Sequence, residues 1–172
     1  MELLSTPLQI PQEKFIEQAQ GKGGLLGRMI VKEDLHDLKL EYWGCYKITL
    51  TYELDTRKFI FGKKKIAGII EMVVDGRTGS CAVLTEKLTI VRARGNIFSK
   101  GCFSIKQEEA VQRARQYATR ILFRRYRGLP SFCKSETATF YRPFWIAYYG
   151  NPQECSKPRF LPFEADGMTF KR

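Results

Sequence analysis

Residues 38–52 read LKLEYWGCYKITLTY, and apolar side chains alternate with polar or charged ones along most of this stretch. The alternation is clearest near its end, where Tyr46 and Ile48 are separated by Lys47. A period of two is typical of a β-strand that buries one face and exposes the other. The sequence therefore predicts one long strand here, bent near Gly44.

Two helices are predicted on either side of this strand. The first covers residues 10–20, and Pro11 suits its first turn because that position needs no N–H donor. The second covers residues 105–126 and ends before residues 128–130, which read Gly-Leu-Pro. Glycine favours the C-terminal cap of a helix, and proline cannot continue it.

Further strands are predicted at residues 58–61, 66–74, 81–85, 88–92, 137–149 and 159–165. Residues 62–65, Gly-Lys-Lys-Lys, are predicted as the loop between the first two of these strands. Asp75 and Gly76 form a tight-turn signal, because this pair readily supplies positive φ angles. Pro162 has no N–H to donate to a neighbour, so the last strand is expected at a sheet edge.

The two halves of the chain present these signals in the same order: a helix, an aromatic strand and an Asp-Gly turn. The predicted fold is therefore α+β, with two tandem helix-plus-antiparallel-meander units packed into one compact body. The units are residues 1–95 and 96–172. Tyr42 is expected to match Tyr141, and Asp75 to match Asp166. The alternative is that common turn and strand signals coincide by chance.

Three short motifs resemble those of PepSY-like domains. They are Glu109-Ala110 on the second helix, the aromatic strand at residues 141–145, and the Val-Asp-Gly-x-Thr-Gly turn at residues 74–79. The resemblance implies small αβ units in tandem and a non-catalytic module that binds or restrains other proteins, often proteases. Most such domains are secreted or tethered to membranes, whereas no export signal is evident at this N-terminus.

Composition excludes several classes of function. The chain has 172 residues, 44% of them hydrophobic, with no apolar run long enough for a membrane-spanning helix. The single histidine, His36, lies among acidic residues, and a surface position is expected for it rather than catalysis or metal binding. Asp75 and Asp166 as paired catalytic carboxylates are a further alternative, although turn chemistry explains both residues.

The five cysteines are odd in number and lack the close pairing that zinc sites need; they are Cys45, Cys81, Cys102, Cys133 and Cys155. They are expected to be reduced, which favours a cytoplasmic protein. Neither a metal nor a cofactor is expected, and catalysis is not expected either.

Positive charge is concentrated in the second half of the chain. Residues 1–95 hold 15 Lys and Arg against 12 acidic residues, and residues 96–172 hold 14 against 6, for a net charge of +11. On a helix, four arginines fall within about 60° of one another. They are expected to be largely exposed, because they adjoin an apolar side of the helix that should face the core: Ala110, Ala114, Tyr117, Ala118 and Ile121. The candidate binding residues are these arginines and the lysines of residues 62–65, namely Arg113, Arg120, Arg124, Arg127, Lys63, Lys64 and Lys65.

Two functions follow as hypotheses. The first is a non-enzymatic protein-binding or regulatory module of the PepSY-like type. The alternative is a nucleic-acid or other polyanion binder that uses the arginine-rich helix face. A solvated helix face would also explain the arginines, and the aromatic residues 140–149 would serve either as core or as a platform for base stacking. The oligomeric state is not predicted.

Overall fold

The computed structural model describes residues 1–20, 34–58, 62–98, 103–150 and 159–168, and 54% of these residues lie in strands. In chain order the elements are β1 (Glu2–Ser5), α1 (Glu13–Gln20), β2 (Leu35–Lys58), β3 (Gly62–Asp75), β4 (Cys81–Val83), β5 (Val91–Arg94), β6 (Asn96–Ile97), α2 (Gln107–Tyr126), β7 (Pro130–Tyr149) and β8 (Arg159–Glu164).

The strands form one mixed sheet in the order β4-β3-β2-β7-β1-β5, with β6 paired to β2 and β8 paired to β7. Strands from the first 95 residues therefore pair with strands from the remainder. The predicted fold of two tandem helix-plus-meander units is wrong, because the protein is dominated by this large sheet. Local periodicity identifies a strand but carries no information about which distant strand pairs with it.

Contacts along the chain divide it into two units. Unit 1 comprises Met1–Trp43, Thr89–Ser99 and Tyr141–Thr169, and unit 2 comprises Gly44–Leu88, Lys100–Phe140 and Phe170–Arg172. Each unit thus takes its helix from one half of the chain and its β-hairpin from the other half. The predicted domain boundary between residues 95 and 96 falls inside the second segment of unit 1.

In unit 1, α1 packs on the hairpin of β7 and β8. The ring of Phe15 on α1 lies 5.5 Å from that of Phe163 on β8, and Ala19 is packed with Tyr149 of β7. The helix begins at Glu13, three residues later than predicted, and the N–H of Ile10 before it donates to the carbonyl of Ala165.

The aromatic part of β7 belongs largely to the core of unit 1. Phe144 stacks on Trp43 at 4.5 Å between ring centroids, and both rings are buried. Tyr149 is 1% exposed, and its hydroxyl donates to the carbonyl of Ala19. These rings are therefore closed to stacking with nucleic-acid bases. β8 pairs with β7 alone among the described strands, which agrees with the edge position expected from Pro162.

In unit 2, α2 packs on the hairpin of β2 and β3, which pair antiparallel from Cys45 opposite Asp75 to Lys58 opposite Gly62. The core on this face of the sheet is fully buried and combines strand residues with small residues of the helix: Ile48, Leu50, Met72, Val74, Ala110, Ala114 and Ala118. Burying one large aliphatic side chain contributes about 1.5–3 kcal/mol. Alanines let the helix approach the strands closely.

The lysine-rich stretch at residues 62–65 is strand, not loop. Lys64 lies opposite Thr56 and Lys65 opposite Asp55 in the β2–β3 ladder, and the strand β3 begins at Gly62. The backbone of Lys63 is opposite Arg57, and its side chain lies outside the described residues. The predicted loop is therefore wrong.

The two units share one hydrogen-bond pattern at the end of each hairpin. In unit 2, the N–H of Gly76 donates to the carbonyl of Gly44 at 2.9 Å. The Gly76 carbonyl in turn accepts the N–H groups of Ser104 and Ile105, at 2.9 and 3.1 Å, just before α2. One residue thus links both strands of the hairpin to the start of the helix.

Ala165 plays the same part in unit 1. Its N–H donates to the carbonyl of Pro143 at 3.1 Å, and its carbonyl accepts the N–H groups of Gln9 and Ile10 at 2.9 and 3.0 Å, just before α1. The internal similarity is therefore present at the level of single hydrogen bonds, although each unit combines parts of both halves.

The same hydrogen-bond pattern shows which residues of the two hairpins are equivalent. The carbonyl of Tyr42 accepts the N–H of Phe98, and that of Tyr141 accepts the N–H of Thr6, each beside a parallel strand pair. These tyrosines are equivalent, as predicted. Asp75, the residue before Gly76, is instead equivalent to Glu164, the residue before Ala165, and its predicted match with Asp166 is wrong by two positions.

Candidate anion-binding surface on α2

The apolar side of α2 lies against the sheet, so the side chains on the opposite side face the solvent. Buried residues of the helix are Ala110, Ala114, Ala118 and Leu122. The exposed side chains within an arc of about 120° on the other side form what we call the outer face. The outer face consists of Glu109, Gln112, Gln116, Arg120, Phe123, Arg124 and Arg127.

Three of the four predicted arginines belong to the outer face. Arg120, Arg124 and Arg127 are exposed, and none of them forms an ion pair with another described residue. Arg127 caps the helix in the left-handed conformation with φ of 55°, and its N–H donates to the carbonyl of Phe123. Unpaired guanidinium groups on one side of a rigid helix attract anions.

The fourth predicted arginine, Arg113, has a different environment. Its Nε and Nη2 atoms donate to Oε1 of Glu109 at 3.0 and 2.7 Å, and its Nη1 donates to the carbonyl of Thr78 at 3.1 Å. The prediction that Arg113 is largely exposed is wrong, since this side chain is half-buried between the helix and the turn after β3. Its role is to connect those two elements.

The turn that receives Arg113 has a defined conformation. Oδ1 of Asp75 accepts the N–H groups of Arg77 and Thr78, both at 2.8 Å. Gly79 adopts φ of 73°, and a Cβ atom there would lie 2.1 Å from Nη1 of Arg113. Only glycine combines that backbone conformation with space for the guanidinium. Asp75 therefore has a structural role in its turn.

A shallow groove of about 440 Å³ lies between this turn and α2. It is lined by Gly79, Cys81, Glu109, Gln112, Arg113, Gln116, Tyr117 and Arg120. Burial raises the pKa of the Cys81 thiol, which keeps it protonated at neutral pH and therefore a poor nucleophile. Arg120, the two glutamine amides and the hydroxyl of Tyr117 can donate hydrogen bonds to an anion in the groove.

The predicted lysines contribute less positive charge to the candidate anion-binding surface than the arginines do. Lys64 and Lys65 are both exposed. The alternation of β3 places Lys64 on the same side of the sheet as Ile66, which packs in the α2 core, and Lys65 on the opposite side. There Nζ of Lys65 lies 2.8 Å from Glu53, whose carboxylate raises the pKa of the lysine.

Asp166, the other aspartate considered for catalysis, belongs to a buried ion pair in unit 1. Its two carboxylate oxygens accept from Nε and Nη2 of Arg142 at 2.7 and 2.8 Å, and Oδ2 also accepts from the hydroxyl of Thr6 at 2.9 Å. These contacts explain the aspartate without catalysis. His36 is exposed on β2, and the described residues hold no cluster of three metal-ligating side chains.

Sequence reasoning missed several members of the outer face, among them Gln112, Gln116 and Phe123. A helical projection centred on Arg120 instead of on the arginines alone would have included them. It also missed the interactions of two further arginines of α2. Arg115 donates to the hydroxyl of Ser135 at 3.3 Å, and Arg125 lies 5.2 Å from the ring of Tyr126.

Comparisons with known protein families, with curated protein sequences and with solved structures gave no significant match. Among the described residues, no helix has both the length and the apolar character needed to cross a membrane.

Proposed function

We propose that this protein binds a polyanion through the outer face of α2. The observation that carries the proposal is that Arg120, Arg124 and Arg127 are exposed, lie on one side of the helix and lack an ion-pair partner among the described residues. Acidic side chains of α2 are confined to Glu108 and Glu109 at its start, and Glu109 pairs with Arg113. The later turns of the helix thus keep their positive charge.

Comparison with unit 1 shows which positions of α2 belong to the packing pattern that the two units share. Ile10 and Ile105 are equivalent residues, and counting along the two helices from them places Gln18 of α1 opposite Arg113 of α2. Phe15 and Ala19 then match Ala110 and Ala114, and all four are buried. The shared pattern therefore requires the apolar positions, while the first arginine of α2 is not part of it.

The test measures binding of a fluorescent single-stranded oligonucleotide and of inorganic polyphosphate over a range of salt concentrations. The parent protein is expected to lose affinity steeply as salt rises, since each neutralised phosphate releases counterions. The double variant Arg120→Glu and Arg124→Glu should bind at least tenfold more weakly, with a salt slope lower by about 1 to 2. Its melting temperature should change little because both side chains are exposed.

The matched control is the double variant Arg92→Glu and Arg94→Glu. These two arginines are also exposed, lie on β5 of unit 1, and their reversal changes the net charge by the same amount. If both double variants weaken binding equally, net charge alone accounts for the affinity and the proposal is wrong. The proposal is equally wrong if the parent binds neither polyanion at low salt.

Binding to another protein is the function that the PepSY-like resemblance implies. One observation supports it as a second candidate. Ile69 of β3 is 66% exposed and, by strand alternation, lies on the sheet face opposite α2. A contact through this apolar side chain would respond little to salt and would be weakened by Ile69→Asp. Membership of the PepSY-like family stays a prediction. A cytoplasmic location, expected from the cysteines, is part of the proposal.

A further inference from the structure

We propose that the polyanion is an anionic lipid surface and that Phe123 and Leu129 insert into it. This inference rests on the proposed function, since it assigns a partner to the same outer face. It goes further in requiring a partner that offers both negative charge and an apolar interior.

Two exposed apolar side chains lie at the C-terminal end of α2. Phe123 is 43% exposed and Leu129 is 74% exposed. On the helix, Phe123 lies about 60° from Arg120 and about 40° from Arg127, so it is next to the arginines of the outer face. Leu129 follows the capping residue Arg127 by two positions. Phe123 is thus part of the same surface as the arginines, and Leu129 is exposed two residues beyond the end of that surface.

Leu129 follows a residue that is packed closely against the sheet. Gly128 is buried, and a Cβ atom at this position would come within 2.4 Å of the backbone oxygen of Asp55 on β2. Such close contact between two backbones fixes the connection between α2 and β7 against the sheet. Leu129 is therefore exposed on a firmly held segment, where its insertion would cost little conformational freedom.

A lipid surface and a nucleic acid differ in how they accept apolar side chains. Both carry phosphates that arginines recognise, but bases bind to side chains by stacking, which an aliphatic side chain such as Leu129 does not provide. A bilayer instead accepts phenylalanine and leucine between its headgroups, while arginines next to them attract anionic lipids. The combination of Phe123 and Leu129 with Arg120, Arg124 and Arg127 fits the bilayer.

The experiment measures co-sedimentation of the full chain with phosphatidylcholine vesicles that either contain or lack phosphatidylserine. The parent protein is expected to bind only the vesicles with phosphatidylserine. The double variant Phe123→Ala and Leu129→Ala should bind them at least tenfold more weakly at every salt concentration, because apolar insertion does not depend on salt. Arg120→Ala should weaken binding about fivefold at low salt and less at high salt.

Insertion itself has a separate readout. In the variant Phe123→Trp, brominated acyl chains should quench the fluorescence of the new indole beyond the quenching seen in the parent protein. The control Ile69→Ala removes an apolar side chain whose exposure lies between those of Phe123 and Leu129, from the sheet face opposite α2, and should bind vesicles like the parent. Melting temperatures of all variants establish that they are folded.

The outcomes separate the two proposals. Binding of the oligonucleotide or polyphosphate through the outer face, combined with vesicle binding that Phe123→Ala and Leu129→Ala leave unchanged, would overturn the lipid assignment and leave polyanion binding intact. The same holds if vesicles are not bound at all while polyphosphate is. Absence of binding to vesicles, oligonucleotide and polyphosphate at low salt would overturn both.

Discussion

Tyr46 and Trp145 occupy equivalent positions in the two units of this protein. The hydroxyl of Tyr46 donates to the carbonyl of Ile105 at 3.0 Å, and Nε1 of Trp145 donates to the carbonyl of Ile10 at the same distance. Each aromatic side chain thus forms a hydrogen bond to a residue just before a helix, and that helix comes from the other half of the chain. These bonds couple helix and hairpin in both units, and in unit 2 they fix the position from which α2 presents its arginines.

Removing the Tyr46 hydroxyl should therefore destabilise the protein. In Tyr46→Phe, the carbonyl of Ile105, a residue only 8% exposed, loses a hydrogen bond inside the protein. We expect the free energy of unfolding to fall by about 1–2 kcal/mol, measured by urea denaturation. In the control variant Tyr117→Phe, at the rim of the groove, the free energy of unfolding should fall by less than half as much. Equal losses in both variants would contradict this account of Tyr46.

The ion pair of Arg142 and Asp166 predicts a larger effect. Both residues are at most 5% exposed, and Asp166→Asn removes the buried counter-charge of the guanidinium, which keeps only the more distant and partly exposed carboxylate of Glu164. We expect a loss of about 3–5 kcal/mol in the free energy of unfolding. Glu164, whose carboxylate is 3.5 Å from Arg142 and 45% exposed, provides the control Glu164→Gln, for which less than 1 kcal/mol is expected. A loss for Asp166→Asn as small as that of the control would show that the pair is not structural.

The environment of Tyr148 should make the free energy of unfolding depend on pH in the alkaline range. Burial, followed by its hydrogen bond to Glu41 at 2.7 Å, raises the pKa of this hydroxyl well above the ordinary value of 10.0. Because the pKa of Tyr148 is higher in the folded protein than in the unfolded chain, the neutral hydroxyl stabilises the fold fully below about pH 10. This stabilisation is lost as the pH rises above that value. The free energy of unfolding of the parent should therefore fall between pH 9 and pH 11, as urea titrations would measure.

Tyr148→Phe should reduce this alkaline slope. Part of the fall will persist in the variant, since burial also raises the pKa values of Tyr42 and Tyr149. A slope identical to that of the parent would mean that Tyr148 ionises as readily in the folded protein as in the unfolded chain.

Local sequence patterns predicted the elements that present the candidate site. The alternation that begins at Leu38 lies within β2, and the apolar spacing at Ala110, Ala114 and Ala118 identified the buried side of α2 and hence its basic outer side. These predictions succeeded because periodicity reports directly which side of an element is buried. The role of the site in binding stays a prediction.

The exchange of helices between halves could not be read from the sequence. Nothing in residues 10–20 specifies that they pack on β7 and β8 rather than on the strand that follows them, because that choice depends on pairing between distant strands. The environment of Arg113 was missed for a related reason. Its partner Thr78 is 35 positions away in the chain, and only the fold brings the two together.

The central claim, that the outer face of α2 contacts a polyanion, is tested most directly by the rate at which a dicarbonyl reagent modifies each arginine, followed by mass spectrometry. Saturating polyphosphate or phosphatidylserine vesicles should slow modification of Arg120, Arg124 and Arg127 several-fold. Modification of Arg92 and Arg94 on β5 should continue at the rate of the free protein. Equal protection of all five, or protection confined to β5, would contradict the account.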